Sequence, residues 1–202
     1  MLPRTTEQNE KIKDERREQI LFNALKIFAR RGLVATKISD IARVSGFSQG
    51  LIYHYFNSKV DIYEELVARA IDNSSEMLLN LEQLPLPPLE KITFIAETIV
   101  DIIINQEDAA YYFLLITQAA VTENSSDSMA AMADDSFAPF QVMLRIITEG
   151  QQQGIISQDS PQDLTIIFWA TINGLALNKV IEGNQFPHID SKIIARIFQT
   201  KN

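Results

Sequence analysis

The sequence predicts an all-α protein in which a three-helix N-terminal unit with a helix-turn-helix precedes a larger helical body, about nine helices in all. Three observations carry that expectation. Apolar residues recur at helical spacing, and alternating strand patterns are few. Only seven Gly and seven Pro interrupt 202 residues. Charge is divided along the chain: residues 1–63 hold 11 Lys/Arg against 7 Asp/Glu, net +4, while residues 64–202 hold 7 against 19, net −12. A small basic module joined to an acidic body points to a polyanion at one end.

The first helix is expected over 13–31, where Ile20, Leu21, Ala24, Leu25 and Phe28 form one stripe and Gly32 stops it. Residues 38–45 form a short second helix, with Ile38, Ile41, Ala42 and Val44 available for packing. Gly46 supplies the turn, and Ser48 caps a third helix running to Tyr55. Ser58 with Asp61 three residues on resembles a capping box and opens a fourth helix reaching Leu81. The run Leu84-Pro85-Leu86-Pro87-Pro88 is the strongest break. Beyond it helices are expected over 89–106, 109–122, 129–153, 161–182 and 189–200. These divide the chain into an N-terminal unit at 14–74 (helix-turn-helix about 37–56) and a larger helical body at 75–202.

The informative stretch is ATKISDIARVSGFSQGLIYHYFNSK, Ala35 to Lys59. A helix-turn-helix needs two short helices, a tight turn and a small residue where they approach. Gly46 and Ala42 meet those needs, and Ile41, Val44, Phe47, Ile52 and Phe56 can form a shared core against Leu25 and Phe28. Ser48, Gln49, Gly50, Leu51, Tyr53, His54 and Tyr55 then remain on the outside of the third helix. That set is hydrogen-bonding and aromatic, unlike a plain solvated face. Arg16, Arg17, Lys37, Arg43 and Lys59 are cations suited to phosphates nearby.

With these residues in place, the stretch resembles the tetracycline-repressor (TetR) family of helix-turn-helix transcriptional regulators. The shared elements are Gly32, Thr36, Ile41-Ala42, Gly46, Ser48 and Gly50, Tyr53, Tyr55-Phe56 and Lys59, within about residues 14–74. Many members carry Val or Ile where Phe47 stands, and His where Tyr55 stands. The resemblance implies roles for single residues. Tyr53 and Lys59 look like phosphate clamps, and Thr36 and Lys37 lie where the second helix faces phosphate. Ser39, Gln49, Gly50, Leu51, His54 and Tyr55 are the candidates for base edges beside Ser48. Gln49 is suited to adenine and Leu51 to a thymine methyl. It also implies a homodimer on double-stranded palindromic DNA, since one third helix reads only a few base pairs.

In the body, Leu164, Ile167, Phe168, Thr171, Ile172 and Leu175 around Trp169, with Ile189, Ile193, Ile194, Ile197 and Phe198, suggest a dimerising helix pair. Phe94, Tyr112, Phe113, Thr117, Phe140, Met143, Ile147, Trp169 and Asn173, with Thr98, Ile116 and Leu144, are candidates to line a cavity for a small, mostly apolar effector. Glu97, Asp101 and Glu149 would suit a cationic ligand if buried.

Other chemistry has little raw material. There is no Cys, and the two histidines are His54 and His188, too few for a metal cluster or a Ser-His-Asp site. No Gly-rich phosphate loop is present. No enzyme activity, catalytic residue, metal or cofactor is expected. The polar stretch from Thr5 to Glu18 is unlike a signal peptide, and apolar stretches read as shorter than a membrane span, so a cytoplasmic location is expected.

Overall fold

The computed structural model describes residues 6–120 and 138–200. Nine α-helices form among them, as the periodicity requires. The first, α1, spans Thr6–Ala35 and begins earlier than the apolar stripe. Its opening turns are polar, so hydrophobic spacing cannot mark them. The stripe residues Ile20, Leu21, Ala24, Leu25 and Phe28 are all buried. Gly32 breaks the helical backbone at φ 73°, a region that Cβ-bearing residues avoid.

Two short helices follow, α2 (Ile38–Ser45) and α3 (Gln49–Tyr55). Gly46 joins them in the left-handed region at φ 72°, and the Phe47 amide closes the turn on the Ala42 carbonyl at 2.9 Å. Ser48 caps α3 by accepting from the Leu51 amide. Ile41, Ile52 and Phe56 are buried against α1, and Phe47 is half-buried. Val44 departs from expectation and is 47% exposed. Ile41 and Ser45, one turn apart, turn inward and leave Val44 on the outer flank of α2.

The long helix α4 spans Lys59–Glu82. Ser58 accepts from the Val60 and Asp61 amides, while the Asp61 carboxylate takes the Asn57 amide at 3.1 Å and the Ser58 hydroxyl at 2.5 Å. These bonds hold the Asp61 carboxyl below its ordinary value, chiefly the one from Ser58 and then those from Asn57. Further on come α5 (Pro88–Asn105), α6 (Ala109–Ala120), α7 (Ala138–Gln152) and α8 (Pro161–Glu182). The expected break at Glu123–Ser128 and the first part of the 129–153 helix lie outside the described residues.

The expected helix over 189–200 is corrected. The chain forms one α-turn, α9 (Lys192–Ala195), then a 3₁₀ turn at Arg196–Phe198. Gln199 then bridges Ile156, with the Ser157 amide on the Phe198 carbonyl at 2.9 Å. Phe198 is fully buried against Phe168, ring centroids 6.2 Å apart. Seating Phe198 and Ile194 in the core takes precedence over continuing the helix.

Two apolar cores result. One gathers α1, α2, α3 and the first half of α4, with Leu115 and Ala119 of α6. The other gathers Leu78 with α5, α7, α8 and the C-terminal turn. Helix α4 serves both. The first core is locked from outside by ions: Arg17 and Arg69 both engage Glu65, and Arg69 also grips Glu18 at 2.8 and 2.9 Å. The Arg69 hydrogen bonds hold the Glu18 carboxyl below its ordinary value.

Helix α8 carries a second correction. Leu164, Phe168 and Ile172, expected on a dimerising surface, lie inside the monomer core. Ile167 of the expected set is exposed, together with Ile166, Leu177 and Ile181, at helical spacing on the opposite face. The reading of apolar stretches as too short for a membrane is also corrected. Pro161–Gln185 is long and apolar enough by length and composition, with 28% of its apolar window buried in the fold.

Candidate DNA interface and effector cavity

A seven-residue helix capped by Ser48 can bury only one side. Ile52 and Phe56 take the inner side, so Gln49, Gly50, Tyr53 and His54 fall at i, i+1, i+4 and i+5 on the outer one, and all are exposed. Ser48 is exposed beside them; Leu51 and Tyr55 are half-buried. Tyr55 packs on the core and meets His54 edge-on at 5.3 Å. A shallow cleft joins the amino end of α2 (Lys37, Ser39), the outer face of α3 (Gln49, Tyr53) and the amino end of α4 (Asn57, Lys59). Two helix amino termini and Tyr53 therefore border one concavity, an arrangement suited to anion binding.

Three residues expected here behave differently. Thr36 is fully buried, and its hydroxyl donates to the Gly32 carbonyl at 2.7 Å, so its side chain does not reach the surface. The Lys59 ammonium donates to the Leu33, Val34 and Thr36 carbonyls at 2.8, 3.2 and 2.8 Å. All three of its protons are engaged in closing the end of α1 against α4. Arg17 is paired with Glu65 and lies over the Phe56 ring at 5.0 Å. The long separations of these contacts, such as Lys59 to Leu33, hid them from a reading of local pattern.

The second candidate site lies in the body. Two adjoining cavities of about 300 and 170 Å³ share Ser74, Met77, Ile99, Phe113 and Ile116. Tyr112 and Phe113 line the larger, and Phe113, Phe140, Trp169 and Asn173 the smaller. The other candidates lie elsewhere. Met143 and Ile147 are fully buried in the core, Phe94 is 42% exposed, and Thr117 borders a separate groove between α1, α6 and α8. Thr98 and Leu144 line neither cavity, and Glu97, Asp101 and Glu149 lie off both.

Sequence reading missed Asn73, Ser74 and Met77 on α4 and Gln106 and Asp108 before α6. A signal existed for the first group: Asp72-Asn73-Ser74-Ser75 is a run of poor helix formers in mid-helix. The Asp108 carbonyl receives the Tyr111 and Tyr112 amides and so starts α6. Burial, with the Asp108 charge second, pushes the Tyr112 phenol above its ordinary value and keeps it protonated.

This first turn of α6 also touches α1. Lys26 pairs with Glu107 at 2.5 Å and Arg30 donates to the Tyr111 hydroxyl at 2.7 Å, while from the last turn of α6 the Gln118 amide donates to the Ala29 carbonyl at 2.7 Å. The wall of the larger cavity and one of the two anchors of α1 thus share one short segment.

Comparison with known proteins agrees with the fold. Residues 20–66 match the family described as bacterial regulatory proteins, tetR family. The chain is 27% identical over 195 residues to the HTH-type transcriptional repressor BepR of Brucella suis, covering 92% of this chain and 91% of that one. The MbdR regulator from Azoarcus sp. CIB superposes with a TM-score of 0.75 at 20% identity, covering 89% and 95%. AibR, solved with isovaleryl coenzyme A and operator DNA, superposes at 0.68 with 16% identity, covering 90% and 94%.

Proposed function

We propose that this chain, similar over residues 20–66 to the bacterial regulatory proteins of the tetR family and over most of its length to a transcriptional repressor, is a DNA-binding regulator that acts as a homodimeric repressor on a palindromic operator and is released by a small, mostly apolar effector. The observation that carries the proposal is the outer face of α3. Gln49, Gly50, Tyr53 and His54 stand exposed together, bordered by Lys37 and Ser39 across one cleft. In this reading Gln49, Gly50 and His54 meet base edges, with Ser39, Ser48 and the half-exposed Leu51 and Tyr55 at the margins, while Tyr53 and Lys37 hold phosphates.

The homodimer is supported by α8. Ile166, Ile167, Leu177 and Ile181 form an apolar face that the fold leaves open, and Ile193 and Ile197 lie exposed on the C-terminal turn. A second copy covering this face removes it from water and accounts for its membrane-like hydropathy. Function in the cytoplasm follows from that reading. The division at 14–74 and 75–202 is supported in part by the two cores, with Leu115 and Ala119 of α6 crossing it to join the first.

Effector control is supported by the cavity and its position. A ligand against Asp108, Ala109 and Tyr112 presses on the turn whose Glu107 and Tyr111 hold α1. Helix α4 offers a second route, since it lines the cavity and contributes to the first core. Differential affinity for two arrangements of α1 and α6 then shifts the population away from the DNA-competent one. AibR, of the same fold, is known with both an acyl-coenzyme A and operator DNA. An architectural or protein-controlled DNA binder without an effector is the competing reading, and the open cavity disfavours it.

The test is selection of random duplex DNA on the purified protein, followed by salt titration of the winner. An enriched palindrome bound with a steep negative salt slope is the expected result. Weak binding to every duplex at low salt overturns it.

A further inference from the structure

We infer that the larger cavity is selective for an apolar molecule carrying one positive charge, its cationic end at Asp108 and its apolar end toward Met77, Phe113 and the Trp169 compartment. The inference rests on the effector reading above and names the ligand class.

Asp108 is the one charged residue among the described lining of either cavity; no Lys or Arg is there to meet an anion. Tyr112, one helical turn on from Asp108, and Phe113 line the same cavity. A carboxylate with adjacent aromatic faces is the surrounding that an ammonium prefers, through charge and through the ring quadrupole. Amide oxygens of Asn73 and Gln106 add neutral acceptors. The field of Arg69 reaches Tyr112, but that guanidinium is held by the Glu18 and Glu65 carboxylates. The ion group of Arg17, Arg69, Glu18 and Glu65 carries no net charge, which leaves Asp108 to set the sign of the site. The Tyr112 phenol is raised chiefly by burial, with the Asp108 charge second. A buried anion would face Asp108 with no counterion. Beyond Phe113 the lining is Ile99, Ile116, Phe140 and Trp169, surface for an alkyl or aryl tail.

The chain holds one tryptophan, and it lines the smaller cavity, so its emission reports occupancy without a label. Three probes share one skeleton and differ in charge: phenylbutylammonium, phenylbutanol and phenylbutyrate. Each is titrated into the full chain and into Asp108→Asn, reading Trp169 emission and thermal stabilisation. Asn is as good a helix-starting residue as Asp, and the variant's unliganded melting temperature checks the fold. The expected result is phenylbutylammonium binding at least tenfold tighter than phenylbutyrate, losing about tenfold in Asp108→Asn, while phenylbutanol changes less than about twofold. If all three bind alike and Asp108→Asn is indifferent, the cavity stands and the charge selectivity is overturned. If phenylbutyrate binds best, the selectivity is also overturned. If none changes Trp169 emission or the melting temperature at millimolar concentration, this inference and the effector reading fall together.

Discussion

Lys59 separates two roles that the sequence cannot tell apart. Resemblance makes it a phosphate clamp; the structure spends its three protons on the Leu33, Val34 and Thr36 carbonyls. Lys59→Met keeps the stem and removes the charge. Hydrogen bonds from a charged donor contribute about 1.5–3 kcal/mol each when buried. Val34 is 86% exposed, so its carbonyl regains water, and the bonds to Leu33 and Thr36 are partly buried. Two bonds at the low end, less the side-chain entropy that Lys no longer loses, give about 2 kcal/mol. For a chain of this size that lowers the melting temperature by about 4–8 °C. Urea unfolding at one fixed protein concentration measures it, and the urea dependence should stay constant while the midpoint falls. A salt titration of operator binding reads the other role. Losing one phosphate contact per protomer would flatten the slope of log K against log salt by about 1.8 in a dimer. The latch predicts lowered stability and an unchanged slope. Unchanged stability with a slope flatter by that amount refutes it and restores the clamp.

Other expectations follow from the same contacts. Gln49→Ala relaxes selection at one base position by about 1–3 kcal/mol, read by competition among operator variants, whereas Lys37→Ala weakens all sequences evenly and flattens the salt slope. A methyl added at Gly150 would sit 2.4 and 2.7 Å from Ile156 side-chain atoms and 3.0 Å from Pro88 Cβ, and Ile156 is fully buried. Gly150→Ala therefore destabilises by about 1–3 kcal/mol in urea unfolding, although Ala is the better helix former. Ile181 is 70% exposed on the open face of α8, so Ile181→Asp leaves the monomer fold intact and shifts the protein toward monomer in sedimentation. The Glu18 and Asp61 carboxyls are held below their ordinary values. Their contribution is present above the unfolded carboxylate range and is lost as pH falls through the folded values. Stability should drop on acidification in that window, and Glu18→Gln should flatten the drop; an unchanged acid limb would count against the Arg69 contact.

Much of the fold was legible in order of residues. The stripe from Ile20 to Phe28, the Gly46 turn, the Ser48 and Ser58 caps and the Pro-rich break each specify structure within a few residues of themselves. That is why α2, α3 and α8 lie where periodicity puts them, and why the polar outer face of α3 could be read at all. Local pattern also places an apolar residue on a face of a helix, but it does not say what that face meets. Ile166 and Phe168 are equally apolar in sequence; one is exposed and the other fully buried, because α5, α7 and the C-terminal turn converge on only one side of α8. Phe198 ends a helix early for the same reason. The charges divide likewise: sequence supplied Arg17, Lys59 and Asp108 as ions, and only the packing of α1 on α4 and of α6 beside the cavity decided which were already paired and which one lines a cavity. Backbone propensity acts over a turn or two, whereas burial and charge pairing depend on residues that the chain brings together, as in contacts 25 and 81 positions apart.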